Sequence, residues 1–158
     1  MTATIDKKAV RQRIDLVEDP EIPVRLTDLG VVRDVRIDGD TVTVVLRPTR
    51  LACPARDEIA RRVAAAVASA APGAQVIVNW ELATWDSAHV STGGRRALLQ
   101  IGYADPALPR ARCPYCSSTR VRREGSFGGG VCKTPYSCRS CGSTFDALRA
   151  TPAEQADR

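Results

Sequence analysis

Aromatic, histidine and methionine side chains are scarce in this sequence. Aromatic residues make up 4% of the 158 residues, and there is one histidine and one methionine. Apolar residues still amount to 44%, much of it alanine, so we expect a thin aliphatic core. The length allows one ordinary domain, or a small domain followed by a cross-linked or metal-bound module.

Long hydrophobic runs are also missing. The first ten residues, MTATIDKKAV, contain no apolar signal segment, and the most apolar stretch, 63–71, has about half of the roughly 20 residues that a membrane span needs. We therefore expect a cytoplasmic protein with no membrane partner. In that compartment the six cysteines should stay reduced, which favours metal or redox chemistry over disulfides.

The common catalytic patterns are absent as well. His89 is the only histidine, so the Glu and Glu-x-x-His ligands of a carboxylate-bridged di-iron bundle are lacking. No Ser/His/Asp arrangement and no glycine-rich phosphate loop can be found. These absences disfavour a true oxygenase subunit.

The hydrophobic patterns that are present predict a small α+β domain with a helix-backed sheet. Asp6 is a candidate N-cap for the first helix, and Gly39 lies at the turn of a hairpin. The predicted elements are a helix at 6–18, hairpin strands at 31–37 and 41–46, a helix beginning at Pro54 with Ile59, Val63 and Val67 buried, a strand at 74–80 and a short helix at 91–101.

Proline content and cysteine content divide the chain further. Residues 104–112 hold two prolines and predict a linker. We therefore expect an α+β domain at 1–103, a cysteine-rich module at 113–149 and a flexible tail at 150–158.

Two C-x2-C pairs mark the second module as a metal site. Cys113 and Cys116 form the first pair, and Cys138 and Cys141 form the second. A tight turn aims both sulfurs of such a pair at one point, and two pairs complete a tetrahedral four-sulfur site that suits zinc. The sequence thus predicts a zinc ribbon, with free or redox-active thiols as the alternative.

Cys132 is a fifth thiol in this module, one more than a tetrahedral site takes. It is a spare packing residue, or it replaces one of the four ligands, or it serves a second transient metal. The residue types favour the structural role.

Positive charge is concentrated in the same segment. Residues 110–149 carry eight Lys/Arg and two Asp/Glu, a net charge of +6, against +5 for the whole chain. A nucleic-acid-binding ribbon, or a scaffold, is therefore the alternative function. It is disfavoured because no contiguous basic run exists and few aromatic residues can stack on bases. Those residues are Tyr115, Phe127, Tyr136 and Phe145.

Cys53 and an acidic turn are the remaining candidates for chemistry. Cys53 lies at the predicted N-cap of the second helix, where the helix dipole is expected to lower the thiol pKa. Asp19 and Glu21 lie in the proline-bounded turn DPEIP and offer hard oxygen ligands for iron. Taken alone, Cys53 is more simply a small buried apolar residue, and the turn is more simply a helix terminator.

The order of the motifs resembles a known family. DPEIPV at 19–24, DLGVV at 28–32 and CP at 53–54 are similar to the iron–sulfur assembly domain of the SufT-like family. A second set of motifs resembles the PaaD branch of that family, whose members are accessory subunits of phenylacetyl-CoA epoxidase. These motifs are WELATWDS, STGGRRALLQIGYADP, CPYC, FGGGVCK and CRSCGSTF. The similarity covers about residues 6–148. The triple glycine before Val131 and the approach RPTRLAC to the cysteine depart from the family pattern.

This resemblance implies a role in maturation of an iron–sulfur or di-iron enzyme. Its partners would be oxygenase subunits or another such client. It also implies that Cys53 contacts a transient iron or iron–sulfur cluster and that Asp19 and Glu21 shape or line that site. The four paired cysteines would hold the ribbon zinc. A related pathway with a different oxygenase client would give the same sequence pattern.

Overall fold

The computed structural model describes residues 4–50, 53–83, 85–126 and 130–149. The chain divides into two compact units, Met1–Ala83 and Thr84–Arg158. The division falls between 83 and 84, whereas the sequence places the boundary between 103 and 104. Among the described residues, no helix has the length and apolar character needed to cross a bilayer.

The first unit is a three-stranded sheet backed by helices. Its strands are ordered β1-β2-β3, with β1 antiparallel and β3 parallel to β2. A parallel neighbour requires a crossover connection, which α2 supplies between β2 and β3. The elements are α1 Lys7–Ile14, β1 Val32–Asp38, β2 Thr41–Leu46, α2 Arg56–Ala70 and β3 Gln75–Trp80.

Local signals in the sequence set the start of α1 and the turn of the hairpin, whereas α1 ends at Ile14, four residues before the predicted end at 18. The Asp6 carboxylate accepts hydrogen bonds from the backbone N–H groups of Lys8 and Ala9 and so caps α1. Gly39 turns the hairpin with φ +58°, a conformation that costs glycine little. The helix α2 buries the predicted stripe Ile59, Val63 and Val67.

The core of the first unit is aliphatic, as the composition predicts. The helices α1 and α2 contact each other, and α2 contacts β3. The largest fully buried side chains of this unit are Ile14, Ile22, Leu26, Leu29, Leu46, Val10, Val31, Val42, Val44, Val63 and Val67. With no ring among them, many small aliphatic contacts replace a few large ones.

In the second unit, a short 3-10 helix at Ser87–His89 and then α3 precede a second three-stranded sheet. The Ser91 hydroxyl accepts a hydrogen bond from the Gly94 N–H and caps α3. The sheet is antiparallel with order β4-β5-β6. Its elements are α3 Thr92–Gln100, β4 Val121–Arg123, β5 Lys133–Cys138 and β6 Thr144–Leu148.

The start of the predicted linker is part of the ribbon's packing. Ala104 is buried among Cys113, Cys138 and Phe145, and its N–H donates to the Asp146 carbonyl over 2.9 Å. The prolines predict a linker from the local sequence alone. They carry no information about the packing of the nearby Ala104 into the buried cluster of the ribbon. The predicted frayed tail at 150–158 and the candidate Phe127 lie outside the described residues.

Candidate metal centre and thiol site

Two matching turns build the cysteine centre of the second unit. In the first, the Ser117 N–H donates to the Cys113 carbonyl over 2.9 Å; in the second, the Gly142 N–H donates to the Cys138 carbonyl over 2.9 Å. Both turns end in the left-handed region, Ser117 at φ 61° and Gly142 at φ 77°. Each turn places the second cysteine of its pair beside the first.

The four sulfurs converge as the spacing predicts. The Sγ atoms of Cys113, Cys116, Cys138 and Cys141 all lie within 4.8 Å of one another. The distances Cys113–Cys141 and Cys116–Cys138 are both 3.6 Å. A tetrahedral zinc with Zn–S bonds of about 2.3 Å separates its sulfurs by about 3.8 Å, so the set fits this ion.

Hydrogen bonds favour the charged sulfurs of the second pair. Two hydrogen bonds from Ser143, the larger effect from its side chain and the smaller from its backbone N–H, lower the pKa of the Cys141 thiol to about 6. The backbone N–H of Cys141 is the main cause that lowers the pKa of Cys138. Since the thiolate is the form that binds zinc, these donors prepare the pair for the metal.

Cys132 is buried and does not belong to this four-sulfur group of the described residues. Its backbone carbonyl accepts a hydrogen bond from the Arg149 N–H over 2.8 Å. A role for Cys132 as a ligand therefore has no geometric support here, and its structural role stays a prediction.

Cys53 lies in the first unit, in the connection from β2 to α2. Together with Asp19, Arg56 and Trp80 it lines a cavity of about 10 Å³. The register pairs Leu46 with Trp80, so this cavity lies at the carboxyl ends of the parallel strands β2 and β3. Loops at that edge are where open α/β sheets commonly place a binding site.

The predicted N-cap role of Cys53 is wrong, and so is the expected direction of its pKa. The cap of α2 is Ala55, and the helix begins at Arg56. Burial raises the pKa of the Cys53 thiol; a hydrogen bond from the Ala55 N–H opposes this, and the charge of Asp19 adds to the rise. Desolvation of a half-buried sulfur outweighs one helix-end donor.

The acidic turn is held rigidly near this sulfur. The Asp19 Oδ1 atom accepts hydrogen bonds from the N–H groups of Glu21 and Ile22 over 2.8 and 3.0 Å. Ile22 and Val24 are buried and anchor the turn. Asp19 and Cys53 line the same cavity, so the structure brings these two predicted residues together. Glu21 is not one of the described residues that line the cavity, although its charge also raises the Cys53 pKa.

Arg56 and Trp80 are site residues that the sequence reasoning missed. The Arg56 Cζ atom lies 5.0 Å from the centroid of the Trp80 ring, and both residues line the cavity. Arg56 follows Cys53 by three residues at a helix start, a spacing that could have indicated a shared side. Trp80 reaches the Cys53 cavity only because β3 pairs with β2.

Comparison with known proteins matches each unit to a family. A family described as iron–sulfur cluster assembly protein matches residues 7–80, and one described as PaaD zinc beta ribbon domain matches residues 103–149. A putative 1,2-phenylacetyl-CoA epoxidase component of Escherichia coli K12 is 32% identical over 143 residues, which cover 84% of this chain and 86% of that protein. The chain belongs to the PaaD family.

Three further proteins are similar to this PaaD-family chain. An iron–sulfur cluster carrier protein of Mycobacterium leprae is 33% identical over 129 residues, 81% of this chain but only 32% of the carrier. The crystal structure of a domain of unknown function, DUF59, from Bacillus anthracis has a TM-score of 0.54 at 24% identity and covers 58% of this chain and 90% of its own. A conserved hypothetical protein from Thermotoga maritima has a TM-score of 0.52 at 24% identity, with 61% and 96% covered. The two structures support the fold alone.

Proposed function

We propose that this PaaD-family chain is a cytoplasmic accessory protein that helps to assemble the iron–sulfur cluster or di-iron centre of a multicomponent oxygenase. The proposed client is a phenylacetyl-CoA epoxidase. The chain itself catalyses no reaction on the organic substrate. Its partners are the subunits of that oxygenase, and its cargo is iron or a cluster.

The observation that carries this proposal is the placing of Cys53 beside Asp19 in the assembly domain. A soft sulfur and a hard carboxylate oxygen together are a donor set that iron accepts. The Asp19 carboxylate is already oriented by the N–H groups of Glu21 and Ile22. Preorganised donors reduce the ordering cost of binding.

The volume of the Cys53 cavity limits the size of the cargo that it can enclose. A volume of about 10 Å³ is close to the room that one water molecule needs. The enclosed cargo is therefore a single ion, whereas a cluster would be held at the mouth of the cavity and shared with thiolates of the client.

Weak binding suits such a transfer. Cys53 is the one thiol in this cavity lining, and its pKa is raised by burial, so a metal must displace a proton to bind there. Cys53 is half-buried, which leaves the sulfur within reach of a client's ligands. A site with few ligands and a proton competitor releases its cargo readily.

The Cys53→Ala variant tests this function. We expect the fold to lose only about 1 kcal/mol, because a small side chain is shortened at a half-buried position. Oxygenase co-expressed with the variant should contain less iron and turn over more slowly than oxygenase co-expressed with the wild type. Iron analysis and activity of the purified oxygenase measure both effects.

Cys132→Ala is the matched control, since it removes a buried thiol that lies outside both candidate sites. Oxygenase made with this control should load iron normally. Full iron content and activity in the presence of folded Cys53→Ala protein would refute the transfer role of this residue.

A further inference from the structure

The ribbon of the second unit carries more positive charge than its metal site accounts for. Residues 110–149 have eight Lys/Arg and two Asp/Glu, a net charge of +6. Zinc with four thiolates contributes about −2, which leaves about +4 on a small module. Charge of one sign at this density favours contact with an anionic partner.

Three exposed arginines lie in, or directly next to, the paired strands β4 and β5. Val121 pairs with Cys138. Cys138 belongs to the buried cluster of the ribbon, and Val121 packs against that cluster. Side chains alternate along a strand, so Arg122 in β4 points to the face opposite Val121. Arg120 directly precedes β4, Arg139 directly follows β5, and all three arginines are exposed. We call these three residues the arginine face.

Two members of the arginine face lie directly across from each other. The Arg139 N–H donates to the Arg120 carbonyl over 2.8 Å, which extends the β4–β5 pairing by one position. No ion pair among the described residues includes Arg120 or Arg139, and the Arg122–Glu124 contact is 3.9 Å. Opposed like charges destabilise a sheet, so this arrangement lowers the ribbon's stability until an anion neutralises it.

We propose that the arginine face docks an extended acidic segment of a partner protein. Arg120 and Arg122 are two positions apart along the chain, about 7 Å, which is the spacing of carboxylates at alternate positions of an extended peptide. A guanidinium group binds a carboxylate through two parallel hydrogen bonds. Because β4 is an edge of its sheet in the described part of the chain, a partner strand has access to it.

A single-stranded nucleic acid needs several exposed rings on which its bases stack, and among the described candidate rings of the ribbon only Tyr115 is largely exposed, at 61%. Tyr136 and Phe145 stack on each other with centroids 5.6 Å apart, and Phe145 is buried. Duplex DNA requires no stacking, and the experiment therefore includes it as a competitor.

Binding of two probes to the zinc-loaded full chain tests the proposal. The first probe is a labelled ten-residue peptide of alternating Glu and Thr, and the second is a labelled duplex DNA. We expect the peptide to bind in 50 mM salt and weaken at 200 mM, because salt screens exposed charges. Arg120→Glu/Arg139→Glu should weaken peptide binding at least about tenfold, the effect of about 1.4 kcal/mol.

The matched control is Arg13→Glu/Arg96→Glu, which changes the net charge equally through two exposed arginines on α1 and α3. It should change peptide affinity less than about twofold, because neither arginine belongs to the proposed arginine face. Equal losses of peptide affinity in both double variants would refute the proposed role of the arginine face. A wild-type protein that does not bind the peptide would refute it as well. Tighter binding of duplex DNA than of the peptide would overturn the acidic-protein assignment. If the Arg120→Glu/Arg139→Glu variant loses zinc, peptide binding is measured with Arg120→Gln/Arg139→Gln, and the same outcomes decide the proposal.

Discussion

Cys53 shows how opposing influences on one sulfur are resolved. Burial raises its pKa most, the Ala55 N–H lowers it, and the charges of Asp19 and Glu21 raise it further. The thiol therefore keeps its proton until a stronger Lewis acid takes its place. A thiol that keeps its proton is oxidised slowly, since the thiolate is the reactive form.

Removing the Asp19 charge should increase the reactivity of Cys53. The Asp19→Asn variant keeps an oxygen that can accept the Glu21 and Ile22 hydrogen bonds, but it no longer raises the Cys53 pKa. A lower pKa gives more thiolate at pH 8, so alkylation should be a few-fold faster. Mass spectrometry of the Cys53 peptide after timed iodoacetamide treatment measures this rate.

Arg56→Gln should have the opposite effect, because Arg56 lowers the Cys53 pKa. Asp38→Asn, at the hairpin turn, is the control and should leave the rate unchanged. If Asp19→Asn and Arg56→Gln shifted alkylation in the same direction, cavity access and not charge would control Cys53.

The turns of the cysteine centre depend on backbone conformation at single positions. Gly142 has φ +77°, and a Cβ there would meet no atom within 4 Å, so only backbone strain opposes a side chain. We expect Gly142→Ala to lose about 1 kcal/mol, or about fivefold in zinc affinity. Competition with a zinc chelator measures this change.

Gly39→Ala provides the matched control for that prediction. Gly39 has φ +58° and equally open surroundings, but it lies in the hairpin of the first unit. Its substitution should lower the stability of that unit and leave zinc affinity intact. A loss of zinc affinity in Gly39→Ala as large as in Gly142→Ala would contradict the local explanation.

At the scale of elements, α3 is tied to the segment that follows it by a two-point ion pair. Arg95 Nε and Nη2 donate to the two carboxylate oxygens of Asp105 over 2.9 and 2.8 Å. The hydrogen bonds from Arg95 lower the Asp105 pKa. Asp105 thus restrains a stretch for which the sequence predicts a linker.

A double-mutant cycle of Arg95→Leu and Asp105→Asn should yield a coupling energy of about 0.5–1 kcal/mol. This value is modest because the Arg95 side chain is 39% exposed and solvent screens the pair. Urea unfolding of the two single variants and the double variant at pH 7 gives the coupling. Additive effects of the two substitutions would show that the pair does not hold α3 in place.

For the whole molecule, the two units are stabilised by different means. The first buries an extensive aliphatic core, whereas the buried cluster of the ribbon is Ala104, Cys113, Cys138 and Phe145. So small a cluster does not offset the entropy of ordering the ribbon strands. Bound zinc, which contributes about 10–16 kcal/mol of apparent folding free energy in small modules, would supply the difference.

Purified protein should therefore contain one zinc per chain, and its removal should unfold the ribbon selectively. Hydrogen exchange after chelation should lose protection at 113–149 and keep it at 7–80, since only the former depends on the ion. Cys113→Ser and Cys138→Ser should lose the zinc, while Cys132→Ser keeps it. A metal-free ribbon with full protection would refute the zinc requirement, and zinc loss in Cys132→Ser would make that residue a ligand.

Most elements of the fold follow from local sequence signals. The Asp6 cap, the Gly39 turn and the buried stripe of α2 each depend on residues close together in the chain, and the structure confirms them. The four-sulfur centre could be predicted for the same reason, because each C-x2-C pair is a local turn. The start of α2 at Arg56 differs from the expected Pro54, since helix ends depend on their surroundings as well as on propensity.

The sequence by itself determined the aliphatic core, the element order, the metal-binding pairs and the resemblance to an assembly family. Only the tertiary structure decided that Trp80 and Arg56 adjoin Cys53, that Ala104 packs into the ribbon, and that the Cys53 pKa rises. These properties depend on strand pairing and on exclusion of water by residues distant in the chain. Burial is a sum over such contacts, so no local pattern contains it.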